Sequence, residues 1–382
     1  MRALALVLLL LVGAVPAAAA TRVVGSGESI QAAVDAAEPG DTVLVRPGSY
    51  AGPGGVALVH VRKSGLILRA TRSALLDARG YRYGVLVGDE RAVGADACKP
   101  PTVRGFALEG FTIRGAGQAG LHLAGVDGFA LRDGVYLDNA RHGVFPLCAA
   151  HGQIAENFAA GHGDAAIAVV GSSHVVVEDN SVTRSAIGIA IENSSHALVR
   201  KNQLFGNSAG LLIAVLAGRP LPLTDRVRIE ENSIIENNHG GRPAPSADAG
   251  VGAIASAAGI PTGAGILNAG GDHVSIERNV VLGNDSFGVA AFASPDARQD
   301  PRSDPFVDAQ SVQRNVILLN GHDPDPLRAS TPGADIVFVP DRIDFANGRL
   351  VELDPDSSDN CYGDNRYFTD SPMEVTGSLA CP

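Results

Sequence analysis

Residues 141–164 hold side chains able to move a proton. Arg141 and His142 lie just before Gly143, and His162 and Asp164 lie just before Ala166; Arg184 lies one interval farther on. A histidine and a carboxylate in reach of one another act as general base and partner. An arginine beside them stabilises the enolate left when a proton departs from the carbon next to a carboxyl group. The three groups must converge for this chemistry, yet Arg141-His142 and Asp164 are far apart in the chain. Some element has to set the two segments side by side.

The element is a short repeat over residues 103–292. A glycine or small residue is followed by alternating aliphatics at Gly120, Gly143, Ala166, Gly188, Gly210, Gly265 and Gly288, with spacings of 23, 23, 22, 22, 55 and 23 residues. Asn157, Asn180, Asn202, Asn232, Asn279 and Asn315 each follow a charged residue, and Asn207, Asn237, Asn284 and Asn320 lie five residues after the last four. A fixed period in the low twenties predicts a solenoid. Alternation of period two predicts strands, and coils this short leave no room for a helix. Stacked parallel strands put residues 142 and 164 on adjacent coils, about 5 Å apart. Asparagine at a repeated corner suits a left-handed backbone and can form a hydrogen-bonded ladder along the stack.

This pattern resembles the right-handed parallel β-helix proteins of the pectin-lyase-like superfamily, and more closely an exported bacterial group of parallel β-helix repeat proteins of unestablished function. The segment Ser29 to Tyr50, SIQAAVDAAEPGDTVLVRPGSY, resembles the N-terminal cap of such proteins. Ser29 is suited to the N-cap of a helix whose Ile30, Ala33, Val34 and Ala37 share one face. A cap of this kind covers the apolar core and unpaired edges at the end of the solenoid. The expected fold is all-β, a single-stranded right-handed parallel β-helix with an N-terminal capping helix. The expected divisions are 1–20 leader, 21–55 N-terminal cap, 56–320 repeats and 321–382 irregular C-terminal cap.

Arg2, an apolar run from Ala3 to Gly13, and Ala18-Ala19-Ala20 predict a secretory leader. No later run reads as membrane-spanning, so the expected setting is secreted or periplasmic. The formal charge is −11, which argues against nucleic acid as a partner. Lysine occurs only at 63, 99 and 201. Cys98, Cys148, Cys361 and Cys381 are even in number in an exported chain, so disulfides are expected, with three connectivities open. Cys361 with Cys381 would clip the tail, and Cys98 with Cys148 would tie an insertion (89–101) to a coil.

The repeat also predicts which side chains point outward. Two places after each anchor stand His122, Phe145, Ala168, Ala190, Leu212, Leu267 and Ala290; two farther on stand Ala124, Leu147, Val170, Glu192, Ala214, Ala269 and Phe292. This face is mostly small or apolar. Either the long excursions after Gly210 and Phe292 fold over it, or it binds a partner protein or an apolar ligand. The candidate binding residues are His122, Phe145, Glu192, Leu212 and Phe292. The candidate catalytic residues are Arg141, His142, His162 and Asp164.

The resemblance implies activity on polysaccharides, with uronate lyase or epimerase chemistry matching the histidine, carboxylate and arginine above. The chain lacks the aspartate–histidine motif of mannuronan epimerases and the arginine motif of pectate lyases. Calcium, used by pectate-lyase-like sites, needs several carboxylates together. Asp164 and Glu192 are six strand positions out of line, roughly 20 Å, so no cofactor or metal is expected. Two functions stand side by side: an exported protein that binds or modifies a polysaccharide, and a non-catalytic envelope protein that binds a partner through its outward face.

Overall fold

The computed structural model describes residues 19–93, 97–239, 260–325, 333–339, 343–344, 349–350, 359–371 and 375–382. The predicted leader falls almost wholly outside them, as does most of the excursion expected between Asn238 and Thr262.

Each regular coil contributes three strands. In one coil these are His142–Leu147, Ala150–Ala155 and Phe158–Ala160. The first strand of every coil joins an 11-stranded parallel sheet; the other two join a 20-stranded sheet that wraps the remaining sides. The result is a right-handed parallel β-helix. The expected inward residues are inward: Leu121, Leu123, Ile167, Val169, Ile189 and Ile191 lie in one continuous core. The glycine beat has a steric cause. A Cβ on Gly188 would stand 2.5 Å from the Gly210 carbonyl oxygen, and one on Gly265 2.3 Å from that of Gly288.

The asparagines form ladders inside the coil. Asn180 donates from N and Nδ2 to Oδ1 of Asn202, which repeats the pattern to Asn232, each bond near 3.0 Å. A second ladder runs Asn207, Asn237, Asn284, Asn320 and ends on Asp335. The corner differs from expectation in one respect. The left-handed residue is the charged one before each asparagine, such as Glu156, Asp179, Lys201 and Arg278, with φ between 54° and 59°. The asparagine turns inward instead, because its amide must satisfy buried backbone groups of the neighbouring coils.

At the N-terminal end, Ser29 caps the helix Ile30–Ala36 by accepting from Ala32 N–H, and Ile30 and Val34 are buried. Strands Thr21–Val24, Thr42–Val45 and Gly48–Tyr50 already belong to the larger sheet. At the other end the sheets pass residue 320. Ala334–Val339 pairs in parallel with Phe287–Phe292, and Cys361–Gly363 with Ser311–Gln313. The Asp/Pro/Ser-rich composition hid this coil, whose strands are separated by long connections. Cys98 bonds Cys148, and Cys361 bonds Cys381. Among the described residues no helix is long and apolar enough to cross a membrane.

Candidate functional site

The predicted outward columns are in register. His122 pairs with Phe145, Ala168 with Ala190, Ala190 with Leu212, and Leu212 with Leu267. Most of them do not face water. Ala190 is fully buried, and His122, Glu192 and Leu212 are 2–3% exposed. Leu216 and Ile260 pack on this outer layer, which includes Ala168, Leu212 and Leu267. The excursions after Gly210 and Phe292 are latched over its far edge. Arg219 is buried and pairs with Glu192 at 2.8 Å. Arg302 donates to the Arg219 carbonyl, Ala217 N–H to Asp296, and Ser294 Oγ to the Val215 carbonyl. Of the two expected readings, the covered face is the one found through Leu212, and an open apolar patch there is not: the chain roofs its own sheet. Phe145 and Phe292 remain partly exposed at the margins.

Toward the N-terminal coils the outer face turns polar and aromatic. Tyr83, His122 and Phe145 stack in a row, with ring centroids 4.8 and 4.7 Å apart, and His142 lies 4.7 Å from Phe145. The leading edge of the same strands carries Arg82, Gln118, Arg141 and Asp164 on successive coils, linked through their backbones. His142 leaves this edge to the outside while Gly143 lies inside; a Cβ there would stand 2.9 Å from the His162 ring.

Two coils thus assemble the predicted trio. Arg141 Nη2 donates to Asp164 Oδ2 at 2.8 Å, and His142 Nε2 stands 3.9 Å from that same oxygen. Asp164 is buried; the Arg141 side chain keeps 17% exposure. His142 Nδ1 lies 2.9 Å from the Ala165 carbonyl, which can only accept, so Nδ1 carries the proton. Burial holds the His142 pKa down, against the pull of Asp164. The neutral ring therefore presents a lone pair at Nε2. Arg141 Nε is buried without a hydrogen-bond partner.

His162 does not join them. It occupies a position in the second asparagine ladder, between Asn139 and Ser185. Its N–H donates to Ser185 Oγ at 3.2 Å and its Nδ1 to the Asn139 carbonyl at 3.2 Å. Polar residues before an anchor can face either way; the ladder claims this one. An imidazole fits the ladder poorly, and both His162 Nε2 and Asn139 Nδ2 are left without partners. Burial pushes the His162 pKa down to about 4, as it does for His122.

Tyr83 and Glu90 escaped the sequence reading. The Tyr83 hydroxyl donates to Glu90 at 2.7 Å, and burial, then Glu90, pushes its pKa up. Arg82 stands over the ring at 5.1 Å. Gly84 does hold the anchor position, level with Gly120, but the insertion between them breaks the regular spacing and hid Tyr83 as the equivalent of His142; Glu90 lies in that insertion, which Cys98 holds. Among the described residues no three His, Cys, Asp or Glu side chains are grouped to hold a metal.

Residues 102–281 match the family model described as right handed beta helix region. The strand order, the coil and this match together define the class by its fold: a right-handed parallel β-helix. No curated protein matches the sequence. Among solved structures, the A-module of Azotobacter vinelandii mannuronan C-5 epimerase AlgE4 is similar, with a TM-score of 0.55 at 15% identity over 88% of this chain and 90% of that one. The DFA-IIIase of Arthrobacter chlorophenolicus A6, without its lid and in complex with GF2, gives 0.51 at 16% identity over 81% and 80%. A mutant tailspike protein of E. coli bacteriophage HK620, in complex with a hexasaccharide, gives 0.55 at 12% identity over 81% and 54%. At these identities the likeness concerns the fold.

Proposed function

We propose that this protein binds an acidic polysaccharide at the polar end of the 11-stranded sheet and acts on its uronate units as a lyase or epimerase. One observation carries the reading: neutral His142 and the Asp164–Arg141 pair meet at one carboxylate oxygen, while Arg141 Nε has a donor to spare. A uronate carboxylate would meet the guanidinium where the Arg141 side chain keeps its exposure. His142 Nε2 then removes the proton from the carbon next to that carboxylate, and Arg141 stabilises the enolate. Elimination breaks the bond to the neighbouring oxygen, which takes the histidinium proton, and leaves a carbon–carbon double bond. Epimerisation instead takes a proton from water onto the opposite face of the same carbon, and the histidinium returns its own proton to the solvent.

The names of the similar structures include a polysaccharide epimerase and a saccharide-binding tailspike, which supports a polysaccharide ligand by analogy of fold alone. The two disulfides support an exported setting. The rival reading, a partner protein docked on the apolar columns, loses its surface because Ala190 and Leu212 are buried.

The test is proton NMR of alginate and polygalacturonate incubated with the protein and with His142→Gln. The expected result is new unsaturated ends or altered anomeric ratios, reduced about 100-fold or more in the variant. Unchanged spectra with wild-type protein on both polymers, together with no binding to either, would sink the proposal; binding without turnover would remove the catalytic half of it.

A further inference from the structure

The opposite edge of the same strands carries a second feature that the catalytic reading does not use. Past the corner that ends each strand of the 11-stranded sheet, where the next sheet begins, successive coils place His151, His174, His196, Arg226 and His273, all in the left-handed backbone region with φ of 48–55°. Four of the chain's 10 histidines stand in this one column, so it is not an average surface. His174 and His196 are exposed, and their rings lie 4.6 Å apart and 5° from parallel; His151 and His174 are 5.1 Å apart. Ser173 and Ser195 run alongside, bridged in parallel register.

The charges facing the column are Arg226 within it, Asp127 beside His151, and Asp225 and Asp272 on the coils beyond His196. Asp127 accepts from His151 and pairs with Arg104, each at 2.8 Å. Asp225 accepts from His273 at 2.8 Å and pairs with Arg226. Asp272 lies beside Asp225 in the register; burial, with Asp304, Asp308 and Asp225 near it, pushes it up to about 7. Its negative charge is therefore lost early as the solution turns acid. The middle of the column, Ser173-His174 and Ser195-His196, offers hydroxyl and imidazole donors at every coil, about 4.8 Å apart.

We propose that this column is a binding track for a carboxylated polysaccharide, whose carboxylates accept from its imidazole and hydroxyl donors. Parallel imidazolium rings this close repel one another, so protonation calls for an anion alongside, and a chain with a carboxylate on every unit supplies one at each coil. A charged donor holds a carboxylate more tightly than a neutral one, so the track would bind the polymer best where imidazole is charged. It lies a sheet's width, roughly 20 Å, from Arg141. The choice of polymer rests on the function proposed above; the track itself does not.

The test is binding of polygalacturonate oligomers at about pH 5.5 and about pH 8, with dextran and single-stranded DNA as comparison polymers. The proteins are wild type, His174→Gln/His196→Gln and Arg141→Gln, with folding checked by circular dichroism at both pH values. The expected result is at least a tenfold gain in wild-type affinity at the lower pH, absent from the histidine double variant and kept in Arg141→Gln. No gain in wild type, or an equal gain in the double variant, overturns the track. Loss of binding at the higher pH in Arg141→Gln alone speaks to the catalytic site and leaves the track intact. A gain as large for DNA as for polygalacturonate would overturn the polysaccharide as its occupant.

Discussion

His162 is where a single residue departs most from the logic around it. An asparagine there would accept from Asn139 Nδ2, as Asn202 does from Asn180. His162→Asn should therefore stabilise the fold by about 1 kcal/mol, the worth of a recovered buried hydrogen bond, read as a higher urea midpoint. The same change should alter the response to acid. Burial holds His162 near 4 in the folded state, below the ordinary histidine value of about 6.5. The unfolded chain then binds the extra proton first, so stability is complete above about pH 6.5 and falls as the pH drops toward 4. His122, also held near 4 by burial, adds a fall of the same sign. The variant should lose less stability than wild type across that window, and an equal loss would mean that the imidazole is not the group taking up the proton. His142 and Asp164 were legible as a pair because the anchor spacing alone sets them on neighbouring coils. His162 was not, since ladder and outward positions both precede an anchor by a few residues and both accept polar side chains.

At the scale of the strand, alternation identified the outward columns correctly, residue for residue, and could not say what lies over them. That information is tertiary: the Arg219–Glu192 pair and the bonds from Arg302, Ala217 and Ser294 join segments up to 83 residues apart. The roof makes Ala190 a core position. Ala190→Asp should cost several kcal/mol by burying an unpaired carboxylate, and urea unfolding will show it. An unchanged midpoint would mean that the face is open to water and would revive it as a docking surface. The same roof confines the polar, partly exposed stretch of the sheet to Arg82, Glu90 and Arg141, which keep 44%, 35% and 17% exposure. Any ligand reaching His142 must arrive past them.

Across the whole molecule, each coil touches mainly its neighbours, so stability is a sum over coils and their interfaces. The fold was readable because that sum repeats in the sequence. The last coil was not, because its strands Ala334–Val339 and Cys361–Gly363 stand far apart in the sequence and outside the regular beat. Cys361–Cys381 holds this end. Replacing both cysteines with serine should cost roughly 3 kcal/mol for a loop of about this length, visible as a lower thermal midpoint, with no change at all if the end is held by packing alone.

The two disulfides also decide how such a molecule would give way under tension. Drawn out by its termini, a stack of coils unravels from an end, one loop at a time. Cys361–Cys381 closes one end. At the other, slack can be paid out only as far as Cys98, where the bond to Cys148 takes the next 50 residues out of reach. The coils between, knotted to one another by asparagine amides running along the axis, would then yield last, as a single stiff rod.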